Sequence, residues 1–380
     1  VNVGTLSRPP LQGQDQGQKV VIVGAGVTGL VSAVRCALAG HQVTVLERGA
    51  VPDPGSTSFD QHRALRTVNP TDPEATRRLA ETHHRWLELE HLLCGSAPRA
   101  GFYRRVGVLT GWPAAKAAAA VAVGADAGLP VEVVAPDAYP HLRFPEGGAV
   151  LREPHAGVLL ADRVLWAAAG WLRRHPAVRL RPWCPVSSVD ADSGRVTLAD
   201  DTVEEGDLVL VACGPWSSAL VDTPTVTYRQ TMVYLRAPDE VARWWDTAPS
   251  AGRIGTRGDA WMLPSGDGTL VKVSSSTACR QVSGVDDEDD EDEHVWSARI
   301  LAAQPLTDMD RYTVVAVKRC HYAVDTHTAG AHLAQVGPAV WARAASGGDG
   351  FRTAPFVADH IVGALSRSQP PLTTTGRNPR

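Results

Sequence analysis

The segment Gly24-Ala25-Gly26-Val27-Thr28-Gly29 constrains the fold of this 380-residue chain more than any other. It follows a short β-branched run, Lys19–Val23, and opens a stretch with helix-forming spacing over residues 27–39. A second apolar run, Gln42–Leu46, comes next and is closed by Glu47, 23 positions after Gly24. Strand, glycine turn, helix and strand make a βαβ unit, the frame in which such a motif binds a dinucleotide. Gly24 permits the tight turn, Gly26 lets the backbone approach a pyrophosphate, and Gly29 allows helix to pack closely on strand. Val27 and Thr28 begin the helix whose amides face that anion. Glu47 is placed to accept hydrogen bonds from ribose hydroxyls, with Arg48 beside it. The motif by itself does not choose between FAD and NAD.

The rest of the composition excludes more than it selects. A chain that is 44% apolar can bury a large core, and a formal net charge of -4 provides no basic field for nucleic acid. No uninterrupted apolar run is long enough to span a bilayer, and the start lacks a secretory pattern, so the expected location is the cytoplasm. The six cysteines, Cys36, Cys94, Cys184, Cys213, Cys279 and Cys320, are far apart and form no metal-ligand spacing, so no metal is expected. Eight consecutive acidic residues over 286–293 repel one another and predict a solvated loop.

Along the chain, residues 1–17 and 367–380 lack periodicity and are expected to be disordered tails. One helix is predicted over residues 73–93, where Leu79, Trp86, Leu89 and Leu93 share a face, and another over 158–173. Residues 207–213 form a Val/Leu strand expected to return to the first sheet. Residues 101–109 and 225–237 alternate like antiparallel strands, so a second sheet is interleaved with the first.

Six further segments, in order, resemble the sarcosine oxidase and glycine oxidase family of FAD-dependent amine oxidases, in the D-amino-acid oxidase superfamily. They are Ser56-Thr57-Ser58-Phe59-Asp60-Gln61-His62-Arg63-Ala64-Leu65-Arg66, the strand and turn ending Cys213-Gly214-Pro215-Trp216-Ser217, and Tyr228-Arg229-Gln230. Leu270-Val271-Lys272-Val273, Arg319-Cys320-His321-Tyr322 and Gly348-Asp349-Gly350-Phe351-Arg352 complete the set. The resemblance implies an α/β (α+β) architecture: a Rossmann-like FAD-binding domain with an interleaved substrate domain on a mostly antiparallel sheet. The expected boundaries are 18–98, 155–222 and 323–366 for the first and 99–154 and 223–322 for the second.

The matched residues have chemical expectations attached. An amino-acid oxidase must point one C–H bond at the flavin, and Arg66 with Arg352 would clamp the substrate carboxylate to do so. Arg63, one helical turn earlier, would steady the flavin, as would Ser58, Val186, Gly214, Gly348, Gly350 and Phe351. Lys272, an ammonium placed mid-strand in a chain with four lysines, would stabilise superoxide as reduced flavin meets oxygen. Cys320 would attach the flavin through a thioether, and Tyr322, on the same face of an extended strand, would donate to the carboxylate. His62 and His321 receive no role.

Three departures from the family pattern remodel the pocket. Ser276 stands where sarcosine oxidases place a histidine, Asp349 replaces another, and Trp261 occupies a usual tyrosine position. The expected substrate is therefore a secondary amino acid or N-substituted glycine larger than sarcosine, with molecular oxygen as co-substrate and hydrogen peroxide as product. A dehydrogenase with another acceptor, a flavin monooxygenase and a catalytically silent flavoprotein are the alternatives.

Overall fold

A computed structural model describes residues 17–95, 101–287 and 292–367. Residues 1–16 and 368–380 of the expected tails, and 288–291 of the acidic run, lie outside the described residues.

The glycine motif belongs to a six-stranded sheet ordered His332–Gln335, Val340–Ala345, Leu208–Val211, Lys19–Val23, Gln42–Leu46, Val178–Arg181. All neighbours are parallel except at the His332–Gln335 edge. Lys19–Val23 is central, and Val20 to Val23 are at most 3% exposed, so both faces demand apolar side chains and no alternation is visible. One face, through Ile22 and Leu210, meets helices Val27–Leu38, Ala161–Arg174 and Gly350–Arg367. The other face, through Val23 and Val211, is covered by Val196 and Leu198 of a three-stranded antiparallel sheet.

A nine-stranded sheet forms the second layer. It runs Cys279–Val282, Thr225–Arg236, Val271–Ser275, Ala260–Leu263, Ser250–Ile254, Val108–Pro113, Gly148–Glu153, Glu132–Val134, and Thr313–Asp325 also pairs with Thr225–Arg236. Its ladders are antiparallel apart from Val108–Pro113 against Ser250–Ile254. The architecture is thus the mixed α/β arrangement expected, with strands of the second sheet interrupting the first in sequence. Among the described residues no helix is long and apolar enough to cross a membrane.

Several local expectations are corrected. Residues 73–93 form two helices, Pro73–Leu79 and Thr82–Cys94. The break lets the buried Thr82 hydroxyl donate to the Arg352 carbonyl at 2.9 Å while Trp86 Nε1 donates to that of Phe351 at 2.9 Å, docking the second helix on the last one. Residues 158–173 open with a strand, Gly157–Leu159, and the helix begins only at Ala161. That strand is sandwiched between Arg63–Leu65 and Tyr103–Arg104, and a Cβ on Gly157 would sit 2.0 Å from the Arg104 carbonyl oxygen. Residues 101–109 are split at Gly107, whose φ of +84° bends the chain between two different sheets. Arg63 lies on a strand rather than one helical turn before Arg66, because residues 63–65 complete the small sheet. The last helix reaches Arg367, the first residue of the expected tail, since buried Leu365 extends its apolar face.

Candidate active site

A cavity of about 890 Å³ lies between the carboxyl ends of the parallel strands and the nine-stranded sheet, the position where open α/β sheets bind ligands. Every site residue picked from the sequence lines it except Gly29. Gly29 instead packs helix on strand, where an added Cβ would fall 1.9 Å from the Gly24 carbonyl oxygen.

At one end stands the glycine turn. Gly24 has a φ of +103°, and Gly26 caps the helix Val27–Leu38 without any side chain. The Glu47 carboxylate, expected to face a ribose, accepts the Ala25 amide at 2.7 Å and the Gly49 amide at 3.2 Å, bracing the turn. Ser58 Oγ accepts the Val27 amide at 3.0 Å, and a Cβ on Gly26 would lie 3.1 Å from it. Arg48 stacks over the Trp216 ring at 4.0 Å, beside Gly214 at φ +60°. A helix N-terminus whose cap residue has no side chain, a glycine surface and a cavity of this size suit the pyrophosphate of a dinucleotide such as FAD. Val186 flanks this end, while Gly348 and Gly350 lead into the last helix and Phe351 rests against Trp86 at 6.1 Å between ring centres.

The middle of the cavity holds a buried charge cluster. Lys272 is 1% exposed, and its ammonium donates to Asp60 Oδ2 at 2.8 Å and to the His62 carbonyl at 2.9 Å. Arg63 donates to the same Asp60 oxygen and, at 2.7 Å, to the Thr57 carbonyl. Tyr234 donates its hydroxyl to Asp60 Oδ1 at 2.6 Å. Burial alone would raise the Asp60 carboxyl, but Lys272 and Arg63 hold it far below the usual carboxylate range. Burial pushes Lys272 down to about 8, with Asp60 opposing the fall. His62 is fully buried and bonded to the Pro264 carbonyl at 3.0 Å; burial and Lys272 drive it down to about 3, so its imidazole is neutral.

Cys320 and Tyr322 alternate with their neighbours along Thr313–Asp325, as expected of an extended segment. Burial raises the Cys320 thiol, while Arg63 and Lys272 pull it back. The Tyr322 hydroxyl is already hydrogen bonded to Cys279 Sγ at 3.2 Å, and its ring stacks on Tyr228.

The other end of the cavity is cationic. Arg66 makes no side-chain hydrogen bond or ion pair among the described residues, and burial, followed by the charge of Arg352, lowers its guanidinium. Arg352 is differently placed: it is ion-paired with Asp349 and donates to the Arg66 carbonyl at 3.2 Å. The two arginines are brought together, but only Arg66 has a guanidinium without a direct partner among the described residues. Trp261 and Ser276 line the same region, with the Trp261 ring 5.8 Å from the Lys272 ammonium.

Three further residues here have no sequence signal. Asp60 sits inside a quoted motif, yet nothing in the motif reveals that it gathers Lys272, Arg63 and Tyr234. Arg343 is 6% exposed and donates to Thr353 Oγ1 at 2.8 Å; burial lowers it to about 10. Arg253 lines the cavity from a β-bulge in Ser250–Ile254.

Comparison with known proteins agrees with this geometry. A family model described as DAO, FAD dependent oxidoreductase, matches residues 19–364. Peroxisomal sarcosine oxidase of Mus musculus is 26% identical over 241 residues, 57% of this chain and 56% of that protein. The chain thus spans little more than half the length of that curated relative. Among solved structures, fructosamine oxidase (Amadoriase II) of Aspergillus fumigatus superposes with a TM-score of 0.72 at 18% identity, covering 94% of this chain and 88% of that one. L-proline dehydrogenase of P. horikoshii gives 0.76 at 15% identity, with 94% and 96% covered. NikD, an amino acid oxidase of nikkomycin biosynthesis, gives 0.74 at 17% identity, with 94% and 95% covered. At these identities the structural likeness establishes the fold.

Proposed function

This chain belongs to the DAO family of FAD-dependent oxidoreductases, and from that premise we propose that it oxidises a secondary amino acid or N-substituted glycine with oxygen as acceptor. The observation that carries the reading is the unpaired Arg66 guanidinium, which shares one cavity with the glycine turn and with buried Lys272. Its relatives, which include a sarcosine oxidase and an amino acid oxidase, support the same reading.

FAD, when bound, would supply the redox chemistry, as acceptor of the hydride from the carbon next to the amine nitrogen and donor of both electrons to oxygen to give hydrogen peroxide. The residues of this chain do the rest. Arg66 holds the substrate carboxylate and so fixes which C–H bond is presented. The cations of the cavity disfavour a protonated amine, which leaves the nitrogen lone pair available without a dedicated base. His62, neutral and tied to the Pro264 carbonyl, is not placed to serve as one. Water then splits the imine into an amine and an oxo acid, which is glyoxylate for an N-substituted glycine. Lys272 supplies fixed positive charge where electrons leave for oxygen. Cys320 would tether the flavin by a thioether, formed with loss of the thiol proton and of one flavin C–H proton while two electrons pass to oxygen, and Arg63 and Arg343 would hold positive charge beside it. The release of a shortened amine fits a step in a biosynthetic sequence.

The Asp60–Lys272 pair favours a second reading, a dehydrogenase that passes electrons to a carrier other than oxygen, because a neutralised ammonium gives oxygen less assistance. An anaerobic screen of primary and N-alkylated amino acids, followed by air, separates the readings. Loss of the yellow flavin band with a secondary amino acid, then one peroxide per turnover, is the expected result. Bleaching without peroxide would favour the dehydrogenase, and no bleaching by any amino acid would overturn the proposal.

A further inference from the structure

The cationic end of the cavity holds two guanidinium groups that have no direct hydrogen-bond or ion-pair partner among the described residues. Besides Arg66, the Arg253 side chain makes no hydrogen bond or ion pair among the described residues; its guanidinium rests on the Trp112 ring at 4.4 Å. The two are close enough that Arg253 contributes to lowering Arg66. The carboxylates nearby have other partners, although Asp259 Oδ1 is buried without one among the described residues. Asp349 is paired with Arg352, and Asp259 with Arg257 at 2.9 Å. Glu153 also reaches Arg66 with its charge, but one of its oxygens accepts the Thr67 amide at 2.9 Å, the Thr67 hydroxyl at 2.8 Å and the Val68 amide at 3.2 Å.

The local backbone is built for this placement. Arg253 has a φ of +55° at the bulge between Gly252 and Ile254, a left-handed conformation unfavourable for a residue with a Cβ and one that clusters at binding sites. Beside it the wall is open: an added Cβ on Gly252 would meet nothing within 4 Å, and Ala251, Gly258 and Ala260 are the neighbouring lining residues. Small side chains leave room for a bulky substituent on the amine, and an unpaired guanidinium stands along that wall.

We propose that the amine substituent of the substrate ends in a second carboxylate, bound by Arg253 while Arg66 holds the amino-acid carboxylate. The substrate class is then a dicarboxylic secondary amine. This rests on the amino-acid oxidase reading above and narrows it.

Ether analogues, with oxygen in place of the amine nitrogen, bind without being oxidised. The test titrates FAD-loaded full-length protein with methoxyacetate, oxydiacetate, 3-(carboxymethoxy)propanoate and 4-(carboxymethoxy)butanoate, reading the shift of the flavin band. At least one diacid should bind about tenfold more tightly than methoxyacetate, the increment of one charged hydrogen-bonded contact. Arg253→Met should remove that gain while methoxyacetate still binds, which also shows that the variant is folded. Arg253→Lys should keep part of the gain, and Arg66→Met should weaken both ligand classes. Methoxyacetate binding with no gain for any diacid would overturn the second carboxylate alone, as would a loss in Arg253→Met shared equally by both classes. If no ligand moves the band, the amino-acid reading falls and takes this inference with it.

Discussion

Replacing Asp60 by Asn removes the carboxylate that anchors the buried cluster. The Lys272 ammonium lies 2.8 Å from Asp60, and the two side chains are 2% and 1% exposed. At an effective dielectric constant of about 20, that separation corresponds to roughly 6 kcal/mol of attraction, most of it offset by the cost of burying both charges. What matters for a single substitution is the stranded partner. Without Asp60, the ammonium keeps only the His62 carbonyl, so Asp60→Asn should cost about 3–5 kcal/mol of stability. Lys272→Met leaves Asp60 with Arg63 and Tyr234 and should cost less. The double variant strands neither member and should be more stable than the sum of the single losses predicts, by about 2 kcal/mol. Denaturant midpoints of the four FAD-loaded proteins measure this cycle. The same substitution removes the group that supports the lysine charge, so Lys272 should titrate below its present value of about 8. Any pH dependence of flavin reoxidation should move to the acid side accordingly. An Asp60→Asn loss under about 1 kcal/mol, or additive single losses, would refute the claim that the ion pair organises the middle of the site.

Other consequences are open to test. Lys272→Met should slow reoxidation of flavin by oxygen far more than its anaerobic reduction by substrate; equal slowing would remove the lysine from the oxygen step. Denatured wild-type protein should keep its yellow colour on the polypeptide and Cys320→Ala should not, whereas a colourless wild-type pellet would retire the tether. His83 is buried with its Nδ1 2.6 Å from the Tyr103 hydroxyl, and burial lowers it to about 4. Its folded value lies below the unfolded one near 6.5, so between those values the unfolded chain binds the extra proton and stability falls as pH falls. The full effect is about 3 kcal/mol, and His83→Gln should flatten the decline in melting temperature between pH 6.5 and 4; an unchanged slope would contradict it.

The first βαβ unit was legible because all its information is local. A β-branched run, three glycines and an acid at the right spacing leave few folds open, and Lys19–Val23, Val27–Leu38 and Gln42–Leu46 stand as the spacing implied. The failures share a physical cause. Residues 73–93 satisfy one helical period, yet Thr82 and Trp86 turn toward carbonyls 270 and 265 residues away in sequence, and periodicity contains no information about such partners. Val158 fits a helix by pattern, but Gly157–Leu159 is held between two strands from distant parts of the chain. Tertiary context decides both cases.

The same distinction governs the site. Which residues line the cavity was readable from motifs, since motifs mark where backbone must approach a ligand. Which of their charges remain available was not, because a cation is spent or free according to the acid that the fold brings to it. Lys272 and Arg352 both read as free charges in the sequence, and both meet an aspartate, Asp60 and Asp349. Arg253 has no motif at all, and only the bulge and the Trp112 ring leave its charge uncompensated. The cavity thus holds Lys272 paired with a buried aspartate and two guanidinium groups, of Arg66 and Arg253, without a direct partner among the described residues. On the proposed function, oxygen reactivity should therefore depend on Asp60, and substrate choice on the guanidinium groups of Arg66 and Arg253. A single variant that altered both together would mean that the two ends of the cavity are electrostatically one site.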